Sequence, residues 1–311
     1  MLPAPLYRDV ADGPDDGRAF WVTAGDGLRL RAAVWNATAA RGTVLLLPGR
    51  CEYVEKYGRA AGDLAQRGYC TASIDFRGQG LADRSLTDPV VGHVRDFAEY
   101  QLDVAALMAM ADQLELPGPR FLMAHSMGGC IALRALMRGL RVQAAAFSAP
   151  MWGISLAAWM RPMAHVLSNA STWLRMAHRY APGTGGAIYM LDAPFEGNVL
   201  TSDPKMWEYM HRQVAKHPDL ALGGPSLGWL RAALIECQAL SVRDSPGYPV
   251  VCALGLGEKV VDTAPVHLRM ARWPGGRLDL YPGAEHEVMM ETPVARARFF
   301  DAADALFRAS A

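Results

Sequence analysis

The chain has 311 residues, 51% of them hydrophobic and 20% charged, which is enough for a large core and more than one simple domain needs, so an elaborated α/β domain with an insertion is expected. Its 31 basic and 31 acidic side chains balance, which excludes the charge asymmetry that draws a protein to nucleic acid or to an anionic membrane surface. Cys51, Cys70, Cys130, Cys237 and Cys252 form no CxxC and no paired Cys/His spacing. Neither a disulfide framework nor a metal site is therefore expected, and a reducing, cytoplasmic compartment fits.

The first twenty residues, MLPAPLYRDVADGPDDGRAF, carry Pro, Asp and Gly where a secretory leader needs a basic start and an apolar run, so export is not expected. RAFWVTA and LRLRAAVW flank GDG and read as a β-hairpin. TVLLLPG, YCTASIDF, RFLMAH and VQAAAFSAP follow as strands, with helical runs from Tyr53 to Gln66, near Phe97 to Leu114, and after Met127 between them. Unbroken apolar strands alternating with helices imply a mostly parallel sheet covered on both faces.

The alternation stops at Pro150. From residue 151 to 240 no apolar strand is read, and Met- and Trp-rich stretches hold five of the eight tryptophans, Trp152, Trp159, Trp173, Trp207 and Trp229. Pro150 and Gly153 interrupt VQAAAFSAPMWGISLAAWM, so that stretch reads as a buried strand and a loop and not as a membrane span. Alternation resumes with YPVVCALG, a helix after Thr263, GRLDLYPG and a last helix from Thr292 to Phe307. The expected organisation is a core of residues 1–150 and 241–311 carrying a helical cap, or lid, of residues 151–240.

The densest chemistry lies in RFLMAHSMGGCIALRAL, where a strand ending at His125 meets a helix starting near Met127 and leaves Ser126 on a very tight turn. Ala124, Gly128 and Gly129 are the small residues such a turn needs. There the helix N-terminus presents unpaired N–H groups and partial positive charge to an oxyanion forming beside the serine. A plain alternative is a serine that only caps the helix. His125 is set aside as a base for Ser126, because adjacent side chains at a strand end point to opposite faces. His93, His165, His178, His211, His217 and His267 occur in polar or helical contexts and read as surface or cap residues.

AHSMGG resembles the GHSMGG nucleophile elbow of α/β-hydrolases, with Ala124 replacing the first glycine, and the chain resembles the monoacylglycerol lipase and lysophospholipase branch of that fold. The resemblance implies a base in a Gly-Ala-x-His segment, here Gly283 to His286, and an acid in a Gly-x-x-acid segment, here Gly255 to Glu258. Asp262 remains the alternative acid, although it can be explained as a helix N-cap. The order Ser126, Glu258, His286 is the order of this fold. Related enzymes often read His-Gly after the strand TVLLL; this chain reads Pro48-Gly49-Arg50, and the oxyanion donors carried over are the backbone N–H groups of Arg50 and Met127. Asp75, Arg77, Gly78 and Gly80 resemble the family's Asp-x-Arg-Gly-x-Gly stretch and are expected to shape a loop.

The expected activity is a serine hydrolase cleaving carboxylic esters of monoacylglycerol or lysophospholipid type through an acyl-enzyme, without metal or organic cofactor. Its partner is a small acyl ester and not nucleic acid, and transient contact of the lid with a membrane or micelle is a further expectation. Acyl transfer, amide cleavage and a non-catalytic ligand-binding role remain open, as do acyl chain length, head group and oligomeric state.

Overall fold

The computed structural model describes residues 1–155 and 176–311. Among the described residues nine strands form one sheet: β1 (Leu2–Ala4), β2 (Arg18–Thr23), β3 (Arg29–Trp35), β4 (Thr43–Leu47), β5 (Cys70–Asp75), β6 (Arg120–His125), β7 (Ala145–Ser148), β8 (Val250–Gly255) and β9 (Arg277–Tyr281). Their spatial order is β1-β2-β3-β5-β4-β6-β7-β8-β9. The first three pair antiparallel and β3 meets β5 antiparallel, while β5, β4, β6, β7, β8 and β9 run parallel. β4, β5, β7 and β8 are buried at every residue, as expected of strands with helices on both faces.

The parallel part matters most for function, because it brings the carboxyl ends of β4, β6, β8 and β9 to one edge. The chain runs from β4 outward to β5 and then returns past β4 to β6. That reversal of winding opens a crevice between the loops after β4 and β6, where α/β sheets bind ligands. The helix Met127–Met137 follows β6 directly and is buried over most of its length.

Between residues 176 and 240 the described chain combines loop and helix. Residues 176–203 are mainly loop with one short helix, Tyr189–Asp192, followed by the helices Pro204–Lys216 and Leu227–Ser241. The last of these packs on the elbow helix: Arg134 pairs with Glu236, and Ala232, Ala233, Cys237 and Leu240 join the same hydrophobic cluster as the sheet. Trp159, Trp173 and His165 lie outside the described residues.

A buried arginine fastens the antiparallel strands to the site edge. Arg31 on β3 bonds Asp75 through Nε at 2.7 Å and both Glu55 oxygens at 2.7 Å, with all three side chains inaccessible to solvent. Asp75 also accepts from the N–H groups of Val54 and Leu81 at 2.8 Å. A Cβ at Gly80 would lie 2.3 Å from the Asp75 carboxyl carbon, so glycine is required where the loop crosses this group. Replacing Arg31 by Met strands two buried carboxylates and should lower unfolding free energy by about 3–5 kcal/mol. Urea denaturation would measure this, and a loss below about 1 kcal/mol would contradict the assignment.

Candidate active site

Ser126 has φ 49° and ψ −118°, a strained conformation for a residue with a side chain. Its backbone is held on all sides. The Ser126 N–H donates to Ser148 O at 3.1 Å, and its carbonyl accepts from the N–H groups of Gly129 and Met151 at 2.8 Å. Gly128 lets the turn close, because a Cβ there would lie 2.3 Å from the carbonyl oxygen of Leu47 and 2.5 Å from that of Pro48. Ala124 is accommodated in the buried ladder between Leu47 and Phe147.

His286 follows β9 in a loop whose backbone bonds across to residues Val199 and Leu200, with Glu287 N–H donating to Leu200 O at 2.8 Å. Its Nδ1 lies 2.6 Å from Glu258 Oε2, and both side chains are almost fully buried. Glu258 Oε1 accepts from the N–H groups of Val260 at 2.6 Å and Val261 at 3.0 Å. Burial pushes this carboxyl up, but the hydrogen bond and charge of His286, together with these two N–H groups, hold it below its ordinary value of 4.5. Nε2 is thus the His286 nitrogen left for a hydroxyl, and both His286 and Ser126 line one cavity.

Asp262 does the other job foreseen for it: its Oδ1 accepts from Ala264 N–H at 3.1 Å, capping the helix Thr263–Met270. Glu258 and not Asp262 reaches the histidine.

The loop after β4 is held by Gln79, whose amide donates to Gly49 O at 2.9 Å and accepts from Cys51 N–H at 3.1 Å. Glu52 accepts from Gly49 N–H. Among the described residues no hydrogen bond takes the N–H of Arg50 or of Met127, so both donors expected at an oxyanion position are available. Arg77 pairs with Asp103, Asp26 and Glu99 and anchors the neighbouring loop.

The cavity measures about 660 Å³ and is walled by Met127, Met151, Ile154, Met190, Leu200, Met210, Val214, Leu222 and Trp229. Of the three described tryptophans of residues 151–240, Trp229 alone lines it. Trp152 stacks on Trp273, and Trp207 meets Tyr189 and Phe195. Sequence reasoning missed Gln79, Glu52, Lys56 and Glu287. Each lies within a few positions of a loop that carries a candidate residue or of the Asp75–Gly80 stretch, but in polar sequence that does not single it out.

Residues 38–293 match the family described as serine aminopeptidase, S33. The chain belongs to this family. It is 33% identical over 285 residues to lysophospholipase L2 of Escherichia coli (strain K12), covering 88% of this chain and 82% of that protein. It is 29% identical to a probable lysophospholipase L2 of Haemophilus influenzae, covering 85% and 83%. Among solved structures, a soluble variant of monoglyceride lipase from Saccharomyces cerevisiae superposes with TM-score 0.70 at 20% identity, covering 93% of this chain and 94% of that one. A thermostable carboxyl esterase from Bacillus coagulans superposes with TM-score 0.75 at 14% identity, covering 94% and 98%. These likenesses show the α/β-hydrolase fold, and with the family match and the lysophospholipase relatives this S33 member is a serine ester hydrolase.

The depressed carboxyl of Glu258 has a consequence for folding. Its folded value lies below the unfolded 4.5, so it contributes stability that is fully present above that pH and is lost as pH falls through the folded value. Glu258→Gln should flatten this acid limb of a melting-temperature profile taken between roughly pH 3 and 6. An unchanged slope would contradict the buried pairing.

Proposed function

We propose that this chain cleaves the carboxylic ester of single-chain phospholipids, with Ser126 as nucleophile, His286 as base and Glu258 as the acid that orients it. Ser126 Oγ adds to the ester carbonyl as its proton passes to His286 Nε2, and the oxyanion sits against the N–H groups of Arg50 and Met127. Collapse expels the glycerol oxygen, which takes the proton from His286 and leaves an acyl-Ser126 ester. Water, deprotonated by the same nitrogen, then releases the fatty acid.

The observation that favours a lysophospholipid over a monoacylglycerol is the Arg50 side chain. It lines the apolar cavity together with Ser126. Its Nη1 donates to Gly223 O at 2.9 Å, and the guanidinium lies 5.6 Å from the centre of the Trp229 ring. Among the described residues it has no carboxylate partner. A guanidinium in such surroundings seeks an anion, and a phosphodiester matches its fork of donors where glycerol hydroxyls do not. Tyr189 and Val260 line the cavity and are well exposed, with Leu191 and Leu256 exposed beside them in the chain; they support transient contact with a micelle or membrane. Among the described residues no helix is long and apolar enough to cross a membrane. Five free cysteines support a cytoplasmic location. The cap is proposed to lie within residues 151–240, ahead of the helix Leu227–Ser241.

Two experiments test this. Ser126→Ala should cost roughly a millionfold in turnover and Glu258→Gln roughly a thousandfold or more, whereas Asp262→Asn should cost mainly stability, about 1 kcal/mol or less. A thousandfold loss confined to Asp262→Asn would overturn the choice of acid. For the head group, kcat/KM on a lysophosphatidylcholine and on the monoacylglycerol of the same chain should be compared in the wild type and in Arg50→Met. Loss of a charge-assisted bond should lower the ratio of the two by roughly 10- to 100-fold. Equal losses on both substrates would leave Arg50 without a role in head-group choice.

A further inference from the structure

Beside His286 lies a second group of ionisable side chains that take no part in the proposed reaction, three of which, Glu52, Lys56 and Glu287, also line the cavity. Glu52, Lys56, His125 and Glu287 are all buried, His125 completely. Lys56 Nζ is 2.7 Å from Glu52 Oε1 and 2.5 Å from Glu287 Oε1. His125 Nε2 lies 3.2 Å from Glu287 Oε2 and 3.6 Å from Glu52 Oε1, ionic contacts that fall off the line of a hydrogen bond. The Tyr57 hydroxyl donates to the second Glu52 oxygen. On the other side of the ring, His125 Nδ1 is 3.0 Å from Ser148 O, an acceptor, so this nitrogen carries the proton.

Burial alone would push the His125 pKa down, but the carboxylates of Glu287 and Glu52 raise it above its ordinary 6.5. The group thus sets two basic side chains against two acidic ones at ion-pair distance. Glu52, His125 and Glu287 are spaced as metal ligands could be, yet the Lys56 ammonium already sits between the two carboxylates. Their cation is built into the chain.

Burying charges costs several kcal/mol each before pairing, and well-packed apolar residues of the same volume are often as stable or more so. Stability is therefore a poor reason for this cluster, and its positions in the chain offer a better one. Glu52 stands two residues after Arg50 and accepts from Gly49 N–H. His125 immediately precedes Ser126, and Glu287 immediately follows His286. The His125 ring is centred 4.7 Å from that of His286.

We propose that Glu52, Lys56, His125 and Glu287 are positioning residues, a charge clamp that fixes the oxyanion loop, the nucleophile turn and the base loop relative to one another. The proposal rests on the roles of Ser126 and His286 given above. Among the described residues three loops distant in sequence meet through charge only here, and each is gripped next to its reacting group. A displacement of about 1 Å at such a site costs roughly 100-fold in rate, so a clamp of this kind acts on turnover more than on affinity.

Lys56→Met removes the shared cation and leaves the two carboxylates facing each other. The double variant Glu52→Gln with Lys56→Met removes one charge of each sign, and it carries the test where the single variant does not fold. The rate at which a fluorophosphonate probe modifies Ser126 reads the alignment of nucleophile, base and oxyanion donors without depending on acyl chain or head group. It should be measured alongside kcat and KM on a p-nitrophenyl ester, well below the melting temperature of each protein. The double variant should be labelled roughly 10- to 100-fold more slowly, with kcat reduced in parallel and KM within about twofold of wild type. Labelling and kcat at the wild-type rate in the folded double variant would overturn the clamp alone. A wild-type chain that the probe does not modify would overturn the role of Ser126 and the clamp with it.

Discussion

Ser126 is held at φ 49° and ψ −118°, a conformation that a free chain would abandon, and the architecture around it serves to keep it there. The strain, about 1–3 kcal/mol, is opposed by three backbone hydrogen bonds to the serine's own peptide groups and by the packing of the elbow helix under β4. Gly128 carries the close approach. Any larger residue would meet the carbonyls of Leu47 and Pro48, the same segment that delivers the oxyanion loop. The turn that exposes the hydroxyl and the loop that stabilises its product are therefore one packed unit.

The sheet explains why the remaining groups arrive at the same place. Because β4, β6, β8 and β9 are parallel, the loops carrying Arg50, Ser126, Glu258 and His286 open on one edge. Gly255 lets the acid and histidine loops touch, since a Cβ there would lie 2.1 Å from Glu285 O. Charge then sets what packing leaves loose. The Arg31, Glu55 and Asp75 cluster fastens the turn after the oxyanion loop to β3, and the Lys56 cluster lies beside His286. Glu52, Lys56 and Glu287 of that cluster line the same cavity as Met127, Met151, Met190 and Met210, so the site combines a polar, ion-paired side with an adaptable wall of methionines.

Much of this was legible in the sequence, for physical reasons that also mark where legibility ends. Strands buried on both faces are mostly apolar, so TVLLL could be read directly, whereas YCTASID was read as a strand although Thr71, Ser73 and Asp75 are buried within it. The three-residue edge strand Leu2–Ala4, mostly exposed and containing Pro3, carries no such signal. Glu258 and Asp262 were separable by position, one at a strand end and one before a helix, and their contacts follow that difference. Strand alternation set His125 aside as a base but could not say what it would meet: it does not line the cavity, yet its ring lies 4.7 Å from that of His286. Its partners Glu52 and Glu287 are joined through Lys56, and that last contact spans 231 positions; no local pattern encodes a pairing at that range. The cap resisted reading because methionine and tryptophan serve packing and ligand walls alike, and only the fold separates Trp229 from Trp152 and Trp207.

The most direct test of an acyl-enzyme on Ser126 is rapid quenching of the protein with a p-nitrophenyl acyl ester, followed by intact-mass measurement and peptide mapping. A burst of p-nitrophenol with one acyl group added to the peptide bearing Ser126 is the expected result. Turnover without a burst or adduct in the wild type, and still without an adduct when deacylation is slowed by Glu258→Gln, would contradict covalent catalysis at this serine. An adduct on any other residue would contradict the site itself.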